Sequence, residues 1–511
     1  VADSKPPTRG RIKTKPQLIR ALREAAEIEQ QLMVQYLYAG FSLKKRPDER
    51  CNAAQFEYVR RWGSTLLMVA RQEMEHLALA NGILTALGAD PWFSRENIPR
   101  QSRYYLGGNL AAEKAKSGEV VPCDIPFVFE RFNRATIGRF VCAESPGYDT
   151  LKESGDPIPT WCFGTGERPC PSHSEAEYAH AAHAANAKVS NAPADLGAAA
   201  GPPYPLARTH LAPEGVQGGE SLKSAVGVAE IHPGTITELY ALIQEAINTL
   251  PDLFTGNPSQ QVFVPVEYQV NIFPIVDVAS ANQAIELIVE EGEGISAPPG
   301  FQSHFRRFYD IHEELAAELA RDPHFEPSLP LPKNPKPEEI TSPFARRTFD
   351  LFNYSYATLL FVLTSLYKNY VPVSNQSYPF FSAALQETAF GPAMTMLLRP
   401  IAEVLAYAKS GDGRHTTGPD YHLSRDDEKL LEHYDHEKLG NVDFFLGRFA
   451  HIIAELQALS GENLLAVARE ENDVPYLKRQ LAFVLESATA MSNNLRRIYQ
   501  IGQLAQFVVA P

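Results

Sequence analysis

In the segment RQEMEHLALANGIL, Arg71 to Leu84, two glutamates and a histidine interrupt an otherwise apolar helical run. Residues three apart on an α-helix share a face, whereas neighbours diverge by roughly 100°. Glu73 therefore points with His76 along the stripe Leu66, Val69, Ala70, Ala80 and Ile83, and Glu75 falls with Arg71, Gln72 and Leu79 on what reads as the solvated side. The inward pair is Glu-x-x-His, the spacing with which helix bundles hold two metal ions between facing helices. Such a centre also needs one carboxylate from each of two other helices and a second Glu-x-x-His.

The first helix offers Glu24, Glu27 and Glu29, of which Glu29 lies on the apolar stripe Leu22, Ala25, Ala26, Met33 and Tyr36. A later helix offers Glu238 and Glu245, seven apart on one face. Both point largely away from its main stripe, Ile236, Leu239, Tyr240, Ile243 and Ile247, and either is a candidate. The second Glu-x-x-His should come late in the bundle, and no intact copy occurs there. If the Gly- and Pro-rich ISAPPGFQ loops out, Glu293-Gly294 rejoins Ser303-His304 as a split Glu-x-x-His; the plainer reading is a helix-end carboxylate and a first-turn histidine. Buried carboxylates need a cation, a hydrogen-bonding partner or a proton. Two ions would satisfy the whole set, and oxygen with imidazole ligands suits iron first, with manganese, copper and zinc also in range. A purely structural polar network is the competing reading.

These side chains must be positioned by long helices. Helical periodicity covers Gln17 to Leu43, after Pro16 and before KKRPDER, and Asn52 to Leu87, ending at GADPW. CDIPFVFERFNRATIGRFVCAESP reads as one packed helix between loops. Further helices are expected at Thr235 to Leu250, Val278 to Gly294 and from SHFRRF onward. The domain reading is an N-terminal tail over 1–16, a bundle over 17–326, a Pro-rich linker over 327–343 and a second helical domain over 344–511. An insertion at about 155–225, rich in Ala, Gly, Pro and Ser, interrupts the bundle. It carries Glu177, His180 and His183 on one helical face, which reads more readily as a solvated helix than as a metal site. QQVFVPVEYQV alone has strand-like alternation, and the fold class is mostly α.

The 511 residues carry a formal net charge of −14, which argues against nucleic acid and anionic membranes as partners. No run of eighteen apolar residues predicts a membrane span, and the opening residues lack a signal-peptide core. Five cysteines fit a reduced, cytoplasmic protein. Cys162 and Cys170 are the pair that could close a loop disulfide. His433 and His436 sit among charges typical of a solvated face.

EIEQQLMVQYLYAGFSLK, RQEMEHLALANGILTALGADPWF, TITELYALIQEAI, IVEEGEG and SHFRRF together resemble the ferritin-like domain of the iminophenyl-pyruvate dimer synthase family. DIPFVFERFNRATIGRFVCAESP resembles the segment after that family's second helix, and FNYSYATLL, PAMTMLLRPIAEVLA and TTGPDYHL its following helical region. The resemblance spreads over most of residues 17–420. It implies a ferritin-like four-helix bundle and supports Glu29, Glu73, His76, Glu293 and His304 as metal positions. It also implies oxidative coupling of imines made from an aromatic amino acid; haem, associated with some members, has no Cys-x-x-Cys-His attachment site here.

The resulting expectation is a metal-dependent oxidative enzyme of secondary metabolism, an oxidoreductase or coupling enzyme. It would take a small aromatic, imine-type substrate with dioxygen or peroxide, and a homo-oligomer is compatible with it. Tyr36 and Tyr240 are candidates to relay an electron or hydrogen bond, against simple core packing. The alternatives are a non-catalytic metal-binding or scaffold protein and a mononuclear zinc hydrolytic enzyme.

Overall fold

The computed structural model describes residues 11–105, 121–122, 124–146, 151, 156–164, 235–264, 270–293, 302–369 and 380–509. Helix α1 (Lys15–Ser42) starts where the Thr14 hydroxyl accepts the Gln17 N–H, with Pro16 in the first turn. Helix α2 (Ala53–Ala86) is opened by a capping box. The Asn52 side chain accepts from the Gln55 N–H, and the Gln55 side chain accepts from the Asn52 N–H. It stops at Gly88, whose φ of +78° favours glycine, and a Cβ there would lie 2.7 Å from Thr255 Oγ1.

Four shorter helices complete the bundle around this pair: α3 (Arg134–Ala143), α4 (Ile236–Thr249), α5 (Val278–Glu293) and α6 (His304–Arg321). Asn133, Thr235 and Ser303 cap α3, α4 and α6 through side-chain oxygens. Helix α3 packs on α6, α4 on α1 and α5, and α5 on α2 and α6. The loops between them add two short antiparallel pairings, Arg100–Tyr105 with Asp124–Phe127 and Val121–Pro122 with Phe163–Gly164.

A second helical layer comprises α7 (Pro343–Asn369), α8 (Phe380–Thr388) with a following stretch Ala389–Leu398 that is kinked at Phe390 and Gly391, α9 (Arg399–Tyr407), α10 (Val442–Ser460) and α11 (Val474–Val509). It lies on the outer flank of α1 and α2. Tyr367 Oη donates to the Ala78 carbonyl at 2.9 Å, Gln30 Nε2 donates to Tyr356 Oη at 2.8 Å, and the Lys45 N–H donates to Tyr407 Oη at 2.9 Å. Both long helices are thus covered on two sides. Gln30, Gln31 and Gln35 are buried with Glu29, and Glu75, expected in solvent, is only 5% exposed. The one-faced helical wheel fails at Glu75 because a second layer closes the other face.

Two further expectations change. The described disulfide joins Cys142 to Cys162 across 20 residues, so Cys162 is not available to Cys170 and the thiols are not all reduced; Cys51 is free and buried. Val262 and Val264, in the alternating QQVFVPVEYQV, are buried without forming a strand. Among the described residues one helical stretch, Phe381–Tyr407, is apolar and long enough to cross a membrane, but 67% of its window is buried inside the protein. His433 and His436 are exposed. Glu177, His180, His183 and Cys170 lie outside the described residues.

Candidate metal centre

Two triads of buried ligands meet in the bundle: Glu29, Glu73 and His76, and Glu73, Glu144 and His304, with the ligand atoms of each triad within 4.8 Å of one another. Glu73 belongs to both. Its Oε2 lies 3.4 Å from His76 Nδ1 and its Oε1 lies 2.9 Å from His304 Nδ1. Glu29 Oε2 is 3.6 Å from His76 Nδ1, and Glu144 Oε2 is 3.7 Å from His304 Nδ1. The two imidazoles stack with centroids 5.5 Å apart. A void of about 20 Å³, lined by Glu29, Glu73, His76 and Glu144, sits among them.

Each histidine turns Nδ1 to the carboxylates and Nε2 to a separate partner. His76 Nε2 is 3.2 Å from Glu291 Oε2, and His304 Nε2 is 3.3 Å from Gln72 Oε1. Anchoring the remote ring nitrogen on an acceptor fixes the tautomer that leaves the near nitrogen free to ligate a metal. The outer carboxylates are held in the same way. Tyr36 Oη donates to Glu144 Oε1, and Tyr240 Oη donates to Glu29 Oε1 at 2.5 Å. Tyr36 is itself wedged against Phe140 and Phe308, at centroid distances of 4.6 and 4.9 Å. Burial first, then the neighbouring carboxylates, raise its phenol well above its ordinary value, so it stays a donor.

The electrostatics of the cluster follow from its burial and its crowded charges. Burial, and after it the charge of Glu73, push the Glu29 carboxyl up to about 7. For Glu73, burial and Glu144 push upward, but His304 and His76 outweigh them and hold the carboxyl below its ordinary value. Burial would lower both imidazoles; the carboxylates overcome it, raising His304 to about 9 and His76 well above its usual range. Protons are therefore retained where cations would otherwise balance the carboxylates. His304 Nδ1, although 2.9 Å from Glu73, is off the hydrogen-bonding direction and has no hydrogen-bond partner among the described residues. An orphaned ring nitrogen, two oxygen-rich triads and a void large enough for an ion fit a pair of metal ions.

The structure brings together Glu29, Glu73, His76 and His304 from the expected ligand set, with Tyr36 and Tyr240 beside them. Glu245 is not with them: it pairs with Arg11 at 3.0 Å and is 41% exposed. Glu238 occupies the first turn of α4, outside both triads. The side chain of Glu293 lies outside the described residues. The carboxylate sought on α4 comes instead from Glu144, directly after α3, and the acid of α5 that meets the cluster is Glu291. Both were reachable by the argument used for Glu73. Glu144 continues the stripe Ile137, Phe140, Val141, and Glu291 continues Ala284, Leu287, Ile288.

Comparison with known proteins gives the ferritin-like family pattern over residues 22–313. Dichlorochromopyrrolate synthase from Lentzea aerocolonigenes is 26% identical over 469 residues, 82% of this chain and 36% of that protein. The 2-imino-3-(indol-3-yl)propanoate dimerase of Chromobacterium violaceum is 26% identical over 454 residues, 81% of this chain and 35% of that protein. The chain spans about a third of the length of these curated relatives. A ferritin-like protein from Caulobacter vibrioides superposes loosely, with a TM-score of 0.39 and 15% identity over 74% of this chain and 96% of that one. The resemblance read from the sequence is borne out by the family match and the two relatives.

Proposed function

The chain belongs to the ferritin-like family, and from that premise we propose that it is a metal-dependent oxidative enzyme of secondary metabolism, acting on a small aromatic molecule derived from an amino acid. The observation that carries the reading is Glu73, a single carboxylate shared by two buried triads. The substrate class is drawn from the names of the two relatives, a chromopyrrolate synthase and an indolyl-imine dimerase. Glu29, Glu73 and His76 would hold one ion, and Glu73, Glu144 and His304 the other, with iron or manganese favoured by the oxygen and nitrogen donors. Bound there, such ions would supply electron transfer between the organic substrate and dioxygen or peroxide.

The protein's own groups have defined parts in this reading. Glu291 and Gln72 orient the imidazoles, while Tyr36 and Tyr240 fix the outer carboxylates through their phenol protons. Leu32, Ile236, Ile288 and Val289 line the void and keep bulk water from the charged cluster. Tyr36 is placed to deliver a proton to Glu144, and Tyr240 to Glu29.

The test is elemental analysis of untagged protein together with dioxygen uptake by the reduced, metal-loaded chain, supplied with imines of aromatic amino acids. Two iron or manganese ions per chain and substrate-dependent uptake are expected. One zinc without uptake would replace the reading with hydrolytic chemistry. Two ions without uptake under any substrate would leave a storage or scaffold protein.

A further inference from the structure

Across α2 from the metal cluster lies a cavity of about 510 Å³, between the α1–α2 pair and the outer helical layer. Protein interiors are close-packed and leave few voids larger than a water molecule, and this volume lies in the range of small-molecule sites. The cavity is open at one end only. Ser64, Arg71, Thr395 and Arg399 are exposed at its rim. Leu77, Ala78, Phe93 and Tyr367 are buried at its far end, where Tyr367 Oη donates to the Ala78 carbonyl. From Arg71 to Ala78 along α2 is a run of about 10 Å at 1.5 Å per residue. Three bonds of an extended chain cover about 3.8 Å, so a saturated ten-carbon chain spans about 11 Å and matches that depth.

The interior wall is largely aliphatic, with Met33, Met74, Leu359, Leu360 and Leu363 beside Leu77. Unbranched thioethers adapt to an irregular or flexible guest, and each methylene buried there is worth about fourfold in affinity. Charge at the rim runs against that of the whole chain, which is −14. Arg399 Nε donates to Glu403 Oε1 at 3.1 Å, but the same oxygen lies 3.4 Å from Lys45 Nζ, so one carboxylate serves two cations. Arg71 stands at the same opening. Glu75 is the one acid in the lining; its Oε1 is enclosed and its carboxyl accepts the Asn271 N–H, so it turns little charge toward the space. Guanidinium groups pair preferentially with carboxylates, through two parallel N–H donors.

We propose that this cavity binds one unbranched aliphatic carboxylate of about ten carbons, its chain among the methionines and leucines and its head at Arg71 and Arg399. Such a ligand is outside the aromatic class drawn from the relatives. The proposal also stands apart from the metal reading, since none of the triad ligands lines the cavity.

Binding of decanoate, butanoate, 1-decanol and indole-3-acetate is measured by calorimetry on the full chain. Decanoate is expected to bind saturably, one per chain, at least about a hundredfold more tightly than butanoate. It should exceed 1-decanol, which lacks the charge, and indole-3-acetate, which lacks the chain, by about tenfold each. Arg71→Gln with Arg399→Gln should bring decanoate and 1-decanol within about twofold of each other, with circular dichroism and metal content unchanged. Leu67→Trp, which places an indole in the space, should weaken decanoate at least about tenfold; Met394→Trp does the same from the opposite wall should the first variant not fold. Uptake that does not saturate, or affinity that survives both tryptophans, overturns the site. Indole-3-acetate binding as tightly as decanoate overturns the aliphatic assignment, and 1-decanol doing so overturns the role of the arginines. A chain that binds no metal would leave each of these outcomes as informative as before.

Discussion

The two sides of α2 carry opposite kinds of interior. Facing α1 and α3, Glu73 and His76 join Glu29 and Glu144 around a void of about 20 Å³, with Glu291 and His304 against the same cluster. Facing the outer layer, Met74 and Glu75 border a space of about 510 Å³ whose lining is largely apolar. Charged groups are crowded on one side because each has a partner there, or a place for a cation. The space on the other side is walled mainly by methionine, leucine and aromatic side chains, with Arg71 and Arg399 at its margin. Consecutive residues thus serve separate compartments, and the helix is the partition between them.

Removing the shared carboxylate is the harshest way to break this contrast. Glu73→Ala should lose both ions and all measurable turnover, read by elemental analysis and oxygen uptake; a variant that keeps two ions would show that Glu73 is not the link. Next in size is Glu291→Leu, which takes the anchor from His76 Nε2 and should weaken metal affinity by about 10–100-fold. An unchanged metal titration would reduce Glu291 to a packing residue.

Proton linkage gives the third contrast. In the metal-free chain His304 keeps its proton up to about 9 against an ordinary 6.5; burial opposes this, and Glu73 and Glu144 drive it. Its folded value lies above its unfolded one, so its contribution to stability is full below 6.5 and fades as pH rises through about 9. Glu29, raised to about 7 by burial, adds loss of the same sign between 4.5 and about 7. Metal binding requires deprotonated ligands, so the loaded chain should gain stability over the same window. Thermal melts of chelated and loaded protein across it should therefore slope in opposite directions, and parallel slopes would sink the metal assignment. The smallest effect belongs to the other side of the helix. Glu75→Leu should leave metal content unchanged and shift stability by no more than about 1 kcal/mol; stripped metal would mean that the partition leaks.

The long helices were legible because their apolar period is sustained and their caps, Thr14, Asn52 and Thr235, are written in the chain. Glu29, Glu73 and His76 could be nominated from stripes alone, whereas His304 rested on the split Glu-x-x-His and the family resemblance. Glu75 could not, since a wheel presumes one buried face and α2 has two. Glu144 follows a helix of only ten residues, too short a period to single out one inward carboxylate at its end. The Cys142–Cys162 pairing had no local signature, as 20 residues separate the two and only the fold places them together.

That bond has a consequence for the centre itself. Cys142 stands two positions before Glu144, so the ring it closes with Cys162 ends almost at a ligand. In polymer terms the crosslink shortens the tether on which Glu144 hangs and raises its effective concentration at the second triad. Closing a loop of this size removes about 3 kcal/mol of chain entropy from the open state. Opened by reductant, the same chain would keep every ligand it has, yet hold one of them on a longer leash.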